Sequence, residues 1–155
     1  MNVGGNPSTR FCHVETNLMG QTQVKLLGTY LVPRADINLA ATFQSTPGPQ
    51  ISANYLAPTA IIQPSLGRPL SGGAATATVN LIEPGTFYGD RANQLDFRLS
   101  KIFRFANRRA NVNLDIYNMM NSNPVMQENA AFAVWRTPQR IMDARLFKLS
   151  AQFEF

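Results

Sequence analysis

QLDFRLSKIFRF, residues 94–105, decides the fold. Its odd positions are Leu95, Phe97, Leu99, Lys101, Phe103 and Phe105, and its even positions are Gln94, Asp96, Arg98, Ser100, Ile102 and Arg104. Five of six residues are apolar in the first set and five of six polar in the second. A period of two puts these sets on opposite faces of an extended strand. Leu95, Leu99, Ile102 and Phe103 also fall at helical spacing, but a helix would leave Phe97 and Phe105 among the polar residues.

The flanking segments repeat the alternation. After Ala106-Asn107-Arg108-Arg109, the residues Val112, Leu114, Ile116 and Met120 alternate with Asn111, Asn113, Asp115 and Tyr117. Asn, Val and Ile are poor helix formers, so this pair predicts a hairpin. Farther on, Phe147, Leu149, Ala151, Phe153 and Phe155 alternate with Lys148, Ser150, Gln152 and Glu154. Upstream, Val24, Leu26, Tyr30 and Val32 alternate with Gln23, Lys25 and Thr29. Past Pro33-Arg34, Ile37, Leu39, Ala41 and Phe43 alternate with Asp36, Asn38, Thr42 and Gln44. Weaker strands are expected at residues 51–62 and 76–82, which makes about seven. The chain reads as all-β and antiparallel.

Composition narrows the setting of such a sheet. Of 155 residues, 45% are apolar and 15% are Asp, Glu, Lys or Arg, against roughly 25% charged in an ordinary soluble domain. Asn, Gln, Ser and Thr supply the missing polarity. The net charge of +5 invites a nucleic-acid partner, but binding needs clustered cations. Only Arg104, Arg108 and Arg109 come close together, while Arg10, Lys25, Arg34, Arg68, Arg91, Arg140 and Lys148 are scattered, which argues against nucleic acid. One cysteine, Cys12, allows no internal disulfide. The N-terminal residues lack the basic start and apolar run of a secretory signal. The longest apolar run is residues 130–135, far below the ~18 of a spanning helix. Any membrane role falls to strands.

Strand and turn lengths point to that role. The strands read as about 10 to 12 residues, longer than the usual five or six and near the 9–11 that cross a bilayer at a tilt. Pro33-Arg34 and residues 106–109 are short connections, whereas 83–93 and 121–139 are long. Alternating short and long connections mark an outer-membrane barrel, and only residues 63–73 break the rule. The polar face then lines a wet interior, with Asp96 paired to Arg98 and Lys148 to Glu154. The apolar face meets lipid, where Lys101 and Arg145 are the two offending cations.

The stretches GDRANQLDFRLSKIFRF (89–105), ANVNLDIYNMMNSNPV (110–125), WRTPQRIMDARLFKLSAQFEF (135–155) and SLGRPLSGGAATATVNLIEPGTFYGDR (65–91) resemble the last strands of TonB-dependent outer-membrane receptors. They are most similar to the subgroup with an N-terminal carboxypeptidase-regulatory-like domain. The resemblance runs from about Arg10 to Phe155. It implies that residues 1–21 are a loop or incomplete strand and that 22–155 are transmembrane strands of a 22-stranded, plugged barrel. It further implies an assembly signal read by the barrel-assembly machinery: Lys148, Ser150 (where the family prefers glycine), Phe153 and Phe155.

About seven strands cannot close so wide a lumen, and unpaired edges are intolerable in lipid. The expectation is therefore a fragment, the C-terminal third or less of a receptor, with Met1 an internal methionine. Its function would be uptake of a scarce solute such as a siderophore or glycan across the cell outer membrane. Its partners would be outer-membrane lipid, the remaining strands, the plug, and TonB through that plug. Two alternatives are a soluble β-sandwich that binds carbohydrate and a small complete barrel with an adhesive or structural role.

No enzyme is expected, because no Ser/His/Asp or Cys/His set has a recognisable context. Cys12, His13 and Glu15 read as a surface loop rather than a metal site, and no cofactor is implied. Under the receptor reading the lumen-facing candidates are Asp96, Arg98, Arg104, Asn113, Asp115, Tyr117, Lys148, Gln152 and Glu154. Phe132 and Trp135 are expected in an aromatic girdle, or else stacked on a solute.

Overall fold

The computed structural model describes Phe11, residues 13–106 and residues 108–155. Arg10, Cys12 and Asn107 lie outside the described residues. The strands are β1 (Val24–Val32), β2 (Ile37–Thr46), β3 (Asn54–Pro58), β4 (Thr76–Asn80), β5 (Ala92–Phe105), β6 (Arg108–Tyr117), β7 (Val125–Glu128), β8 (Pro138–Ile141) and β9 (Leu146–Glu154). Among the described residues two α-helices accompany them, the single turn α1 (Leu18–Gln21) and α2 (Thr59–Leu66), with 3-10 turns at Ser71–Gly73 and Phe132–Val134. The chain is predominantly antiparallel β. No described helix is long and apolar enough to cross a membrane, which says nothing of strands.

The chain divides into two compact units. The sheet unit comprises Thr22–Pro47, Arg91–Pro124 and Ile141–Phe155. Its five strands run in the order β1-β2-β5-β6-β9, each antiparallel to its neighbour. The register gathers side chains into rows across the sheet, because directly opposed residues share a face. One face carries Tyr30–Leu39–Leu99–Leu114–Leu149 beside Gly28–Ala41–Phe97–Ile116–Phe147. The other carries Leu31–Asn38–Ser100–Asn113–Ser150 beside Thr29–Ala40–Arg98–Asp115–Lys148. The alternation in residues 94–105 is thus the cross-section of a two-faced sheet. The large apolar exceptions on the polar face are Leu27 and Leu31 on edge strand β1, Ile102 opposite Asn111 and Leu146 opposite Tyr117.

Among the described residues, the unit holds these five strands and their connections and no helix or further strand that would form a second layer. Its buried residues are Ala92, Ala110, Ser45, Ser100, Asp115 and Asn118, while Leu26, Tyr30, Phe147, Leu149 and Phe153 are exposed. Most of what is buried is polar and much of what is exposed is apolar.

The loop unit comprises Gly48–Asp90 and Val125–Arg140 with Met1–Gln21. Here the expected strand count is corrected. Residues 51–62 and 76–82 do not join the main sheet: β3 and β4 form a separate two-stranded hairpin, and β7 and β8 form another. The main sheet therefore has five strands, not about seven. The reason lies at Pro58. Alternation holds through Ile51, Ala53, Tyr55 and Ala57, then stops at a proline that cannot donate to a ladder but can precede a helix.

Helix α2 follows Pro58 at once and ends at Gly67, whose φ of 70° is costly for any residue with a Cβ. Thr59 ties the root of this excursion, its N–H donating to the Ala75 carbonyl at 2.9 Å and its hydroxyl to that of Ala74 at 2.7 Å. Gly48 answers a different need, because a Cβ there would strike the Gly89 backbone carbonyl. Ile51, Ala53, Ala57 and Leu70 make the buried apolar core of the unit.

Removing 51–62 and 76–82 from the sheet also removes the irregularity at 63–73. Connections between consecutive sheet strands now alternate strictly: residues 33–36 short, 47–91 long, 106–107 short, 118–145 long.

Candidate functional site

The polar face of the sheet is where chemistry-bearing side chains converge. Arg98 on β5 and Asp115 on β6 stand directly opposite each other. Arg98 Nε donates to Asp115 Oδ1, and Nη2 donates to Oδ2 at 3.2 Å, a two-pronged grip. The carboxylate side chain is 4% exposed and the guanidinium 49%, so the pair is anchored below and open above. Lys148 faces Asp115 from β9, giving that carboxylate cations on both flanking strands.

Asp96 is held differently. Gln94 Nε2 donates to its two oxygens at 2.9 and 3.0 Å, and the Asn118 N–H donates to Oδ1 at 2.8 Å. The expected pairing of Asp96 with Arg98 is therefore corrected to Arg98 with Asp115. Asp96 is already taken up by Gln94 and the Asn118 N–H, whereas Asp115 stands directly opposite Arg98, where opposed residues have Cβ atoms about 4.5–5.5 Å apart. The same geometry sets Glu154 opposite Arg109 and Lys148 opposite Asp115, not Lys148 with Glu154.

The remaining candidates share this face. Arg104 Nη2 donates to Asp36 Oδ1 at 2.8 Å, Asn113 Nδ2 to Ser150 Oγ at 3.4 Å, and Gln152 stands opposite Asn111. Small residues on β2 leave room above the charged row. Ala40 and Thr42, with Asp96, Arg98, Asp115 and Tyr117, line an open hollow of about 250 Å³. It presents donors, acceptors and an aromatic ring side by side.

Of the four assembly-signal residues, Lys148 and Ser150 share the polar face, and Phe153 stands on the apolar face opposite Ala110. The Phe155 ring lies 5.5 Å from the Arg108 guanidinium. Lys101, the expected offender, sits opposite Ile37, the first residue of β2. Its ammonium donates to the Ala35 carbonyl in the adjoining turn, so its long stem crosses apolar surface while its charge reaches the rim. Arg145 precedes β9 and lies off the strand.

Asn118 escaped the sequence reading. It is buried, with φ of 47°, a left-handed conformation asparagine tolerates. Its Nδ2 donates to the carbonyls of Ser122 and Asp143, each at 2.8 Å, and its Oδ1 accepts the Ser122 N–H at 2.9 Å. These bonds root both ends of the 118–145 connection. The available signal was a polar residue where the alternation of β6 calls for an apolar one.

Elsewhere, the expectation of a girdle for Phe132 and Trp135 is corrected, because neither belongs to the sheet. Trp135 Nε1 donates to the Ser52 carbonyl at 3.1 Å and Phe132 packs edge-on against Tyr55 at 5.7 Å, all within the loop unit. There, Arg136 Nε donates to Glu128 Oε2 at 3.0 Å, and this carboxylate raises the guanidinium pKa further above its ordinary value. His13 Nε2 lies 3.3 Å from Glu15 Oε1 on an exposed stretch. Among the described residues no three His, Cys, Asp or Glu side chains gather as metal ligands. No family model, curated protein or solved structure matches this chain.

Proposed function

We propose that this chain forms part of the wall of an outer-membrane transporter of the TonB-dependent type. Its five long strands cross lipid, its apolar face meets the acyl chains and its polar face borders the path of the solute. The inside-out burial of the sheet unit carries the reading. On the polar face Ser100 and Asp115 are buried, while on the apolar face Leu26, Phe147, Leu149 and Phe153 are exposed, a distribution that suits lipid outside and water inside. Strands of 9 to 14 residues at about 3.3 Å per residue and a tilt near 45° rise roughly 20–33 Å, which matches an apolar band of about 25 Å. The strict short–long alternation of connections supports the same topology.

Edges β1 and β9 have no further partner among the described residues. In lipid, other strands of the receptor must cover them. These five strands supply wall; the plug, the TonB contact and the remaining strands complete the transporter. The polar face mixes cations, carboxylates and amides, so the solute travels past hydrogen-bonding groups rather than a single sign of charge.

Position-specific quenching tests the reading. With Trp135→Phe as background, the full chain is reconstituted with brominated phosphatidylcholine carrying Leu39→Trp, Leu114→Trp or Asn38→Trp. The expected result is strong quenching at the two leucine positions and little at Asn38. A chain that stays in solution without lipid, with no quenching at any of the three, would overturn the reading in favour of a soluble carbohydrate-binding sheet.

A further inference from the structure

The excess positive charge remains unassigned by the transport reading, and the register shows where it gathers. Arg34 stands exposed in the turn between β1 and β2, and Arg104, Arg108 and Arg109 lie exposed where β5 meets β6. All belong to the rim that carries the two short turns. On the polar side of this rim, charge is matched: Arg104 binds Asp36 and Arg109 faces Glu154.

The apolar side differs. Lys101 and Arg108 share it by register with Phe103, Phe105 and Phe153, and among the described residues no Asp or Glu side chain shares it there. The Lys101 ammonium lies 5.9 Å from the centre of the Phe103 ring, and the Arg108 guanidinium 5.5 Å from that of Phe155. At the opposite rim the corresponding row is Val24, Ser45 and Asn93, and the cation beside it, Arg91, is engaged by the Ser45 hydroxyl and the Thr22 carbonyl.

We propose that the apolar side of the short-turn rim docks anionic phospholipid headgroups, with Arg108, Lys101 and the neighbouring Arg34 as its cations. The proposal rests on the membrane reading above. Phenylalanine rings at this height contact acyl chains, while long cationic side chains lift their charge to the phosphates. A guanidinium adds two parallel donors that match phosphate oxygens. Nucleic acid fits less well, because the cations stand among exposed phenyl rings and the polar-side arginines are already matched by carboxylates.

Vesicle association of the full chain, in phosphatidylcholine alone or mixed with phosphatidylglycerol at low salt, tests this. Each engaged cation should strengthen association with the anionic vesicles about five-fold, and high salt should erase the gain. Arg34→Gln with Arg108→Gln should remove most of the gain while association with phosphatidylcholine persists, which shows the variant still folds into lipid. Arg68→Gln with Arg140→Gln, equal in net charge, should retain the gain.

Equal affinity for both vesicles, or equal loss in both double variants, would overturn the lipid site and leave the membrane reading standing. Failure to associate with either vesicle would overturn both. Salt-sensitive capture of duplex DNA that the Arg34/Arg108 change abolishes, without lipid discrimination, would reassign the rim to nucleic acid.

Discussion

The two units of this chain obey opposite burial rules. In the loop unit the buried side chains are Ile51, Ala53, Ala57 and Leu70, all apolar, as in any water-soluble core. In the sheet unit the buried set includes Ser45, Ser100, Asp115 and Asn118, and every buried polar side chain among the described residues belongs to it. One unit removes hydrocarbon from solvent; the other removes hydrogen-bonding groups from it. On the membrane reading proposed above, two solvents, water around the loop unit and lipid against one face of the sheet, account for the contrast.

The largest effect expected from the contrast concerns Arg98 and Asp115. If polar contacts stabilise the sheet, Arg98→Ala should cost about 3–5 kcal/mol, because it leaves a carboxylate buried without its guanidinium. Lys148 across the ladder offsets part of that and favours the lower end. Replacing both partners, Arg98→Met with Asp115→Leu, should recover much of the loss, since neither charge then stays buried alone. Urea unfolding in lipid, followed by the strand signal in circular dichroism, gives the numbers. A single-variant loss below about 1 kcal/mol, the scale of exposed pairs, would mean the sheet does not depend on this pair.

Next in size is a charge on the other face. Leu114 lies in the middle of the Tyr30–Leu39–Leu99–Leu114–Leu149 row, whereas Val24 begins β1 at the rim. Leu114→Arg should cost about 2–4 kcal/mol in a bilayer and Val24→Arg about 0–1. The same unfolding assay compares them. Equal costs would remove the depth dependence that only a lipid slab imposes, and the two units would then share one solvent.

The difference between the units also explains what could be read from sequence. The sheet was legible because residues 94–105 alternate over a long run, and each neighbour in register reinforces the same two faces. Ion-pair partners were less legible: Asp96 and Arg98 are adjacent in the alternation, but which carboxylate meets Arg98 depends on the register with β6, in which Phe105 stands opposite Arg108. The loop unit hid its structure because residues 51–57 offer only Ile51, Ala53, Tyr55 and Ala57 before Pro58 breaks the period. Its core then forms between segments far apart in sequence, through Asn54 N–H to the Ala130 carbonyl at 2.7 Å and Leu81 N–H to that of Ala53 at 2.8 Å. Trp135 was placed wrongly for the same reason, since its partner Ser52 is 83 residues away.

That long-range bond gives the smallest effect and the sharpest test of independence between the units. Trp135→Phe keeps most of the aromatic surface but deletes the indole N–H, leaving the Ser52 carbonyl without that donor. Trp135 is 43% exposed, so water replaces part of the lost contact and the cost should be about 1 kcal/mol. It should also be local. Hydrogen exchange ought to quicken at residues 49–58 and 129–137 while the amides of β2, β5 and β6 keep their protection, because the ladders of the sheet unit contain none of the affected bonds. Equal quickening in both sets would mean the loop unit and the sheet open together, and the division by solvent would then describe burial but not folding.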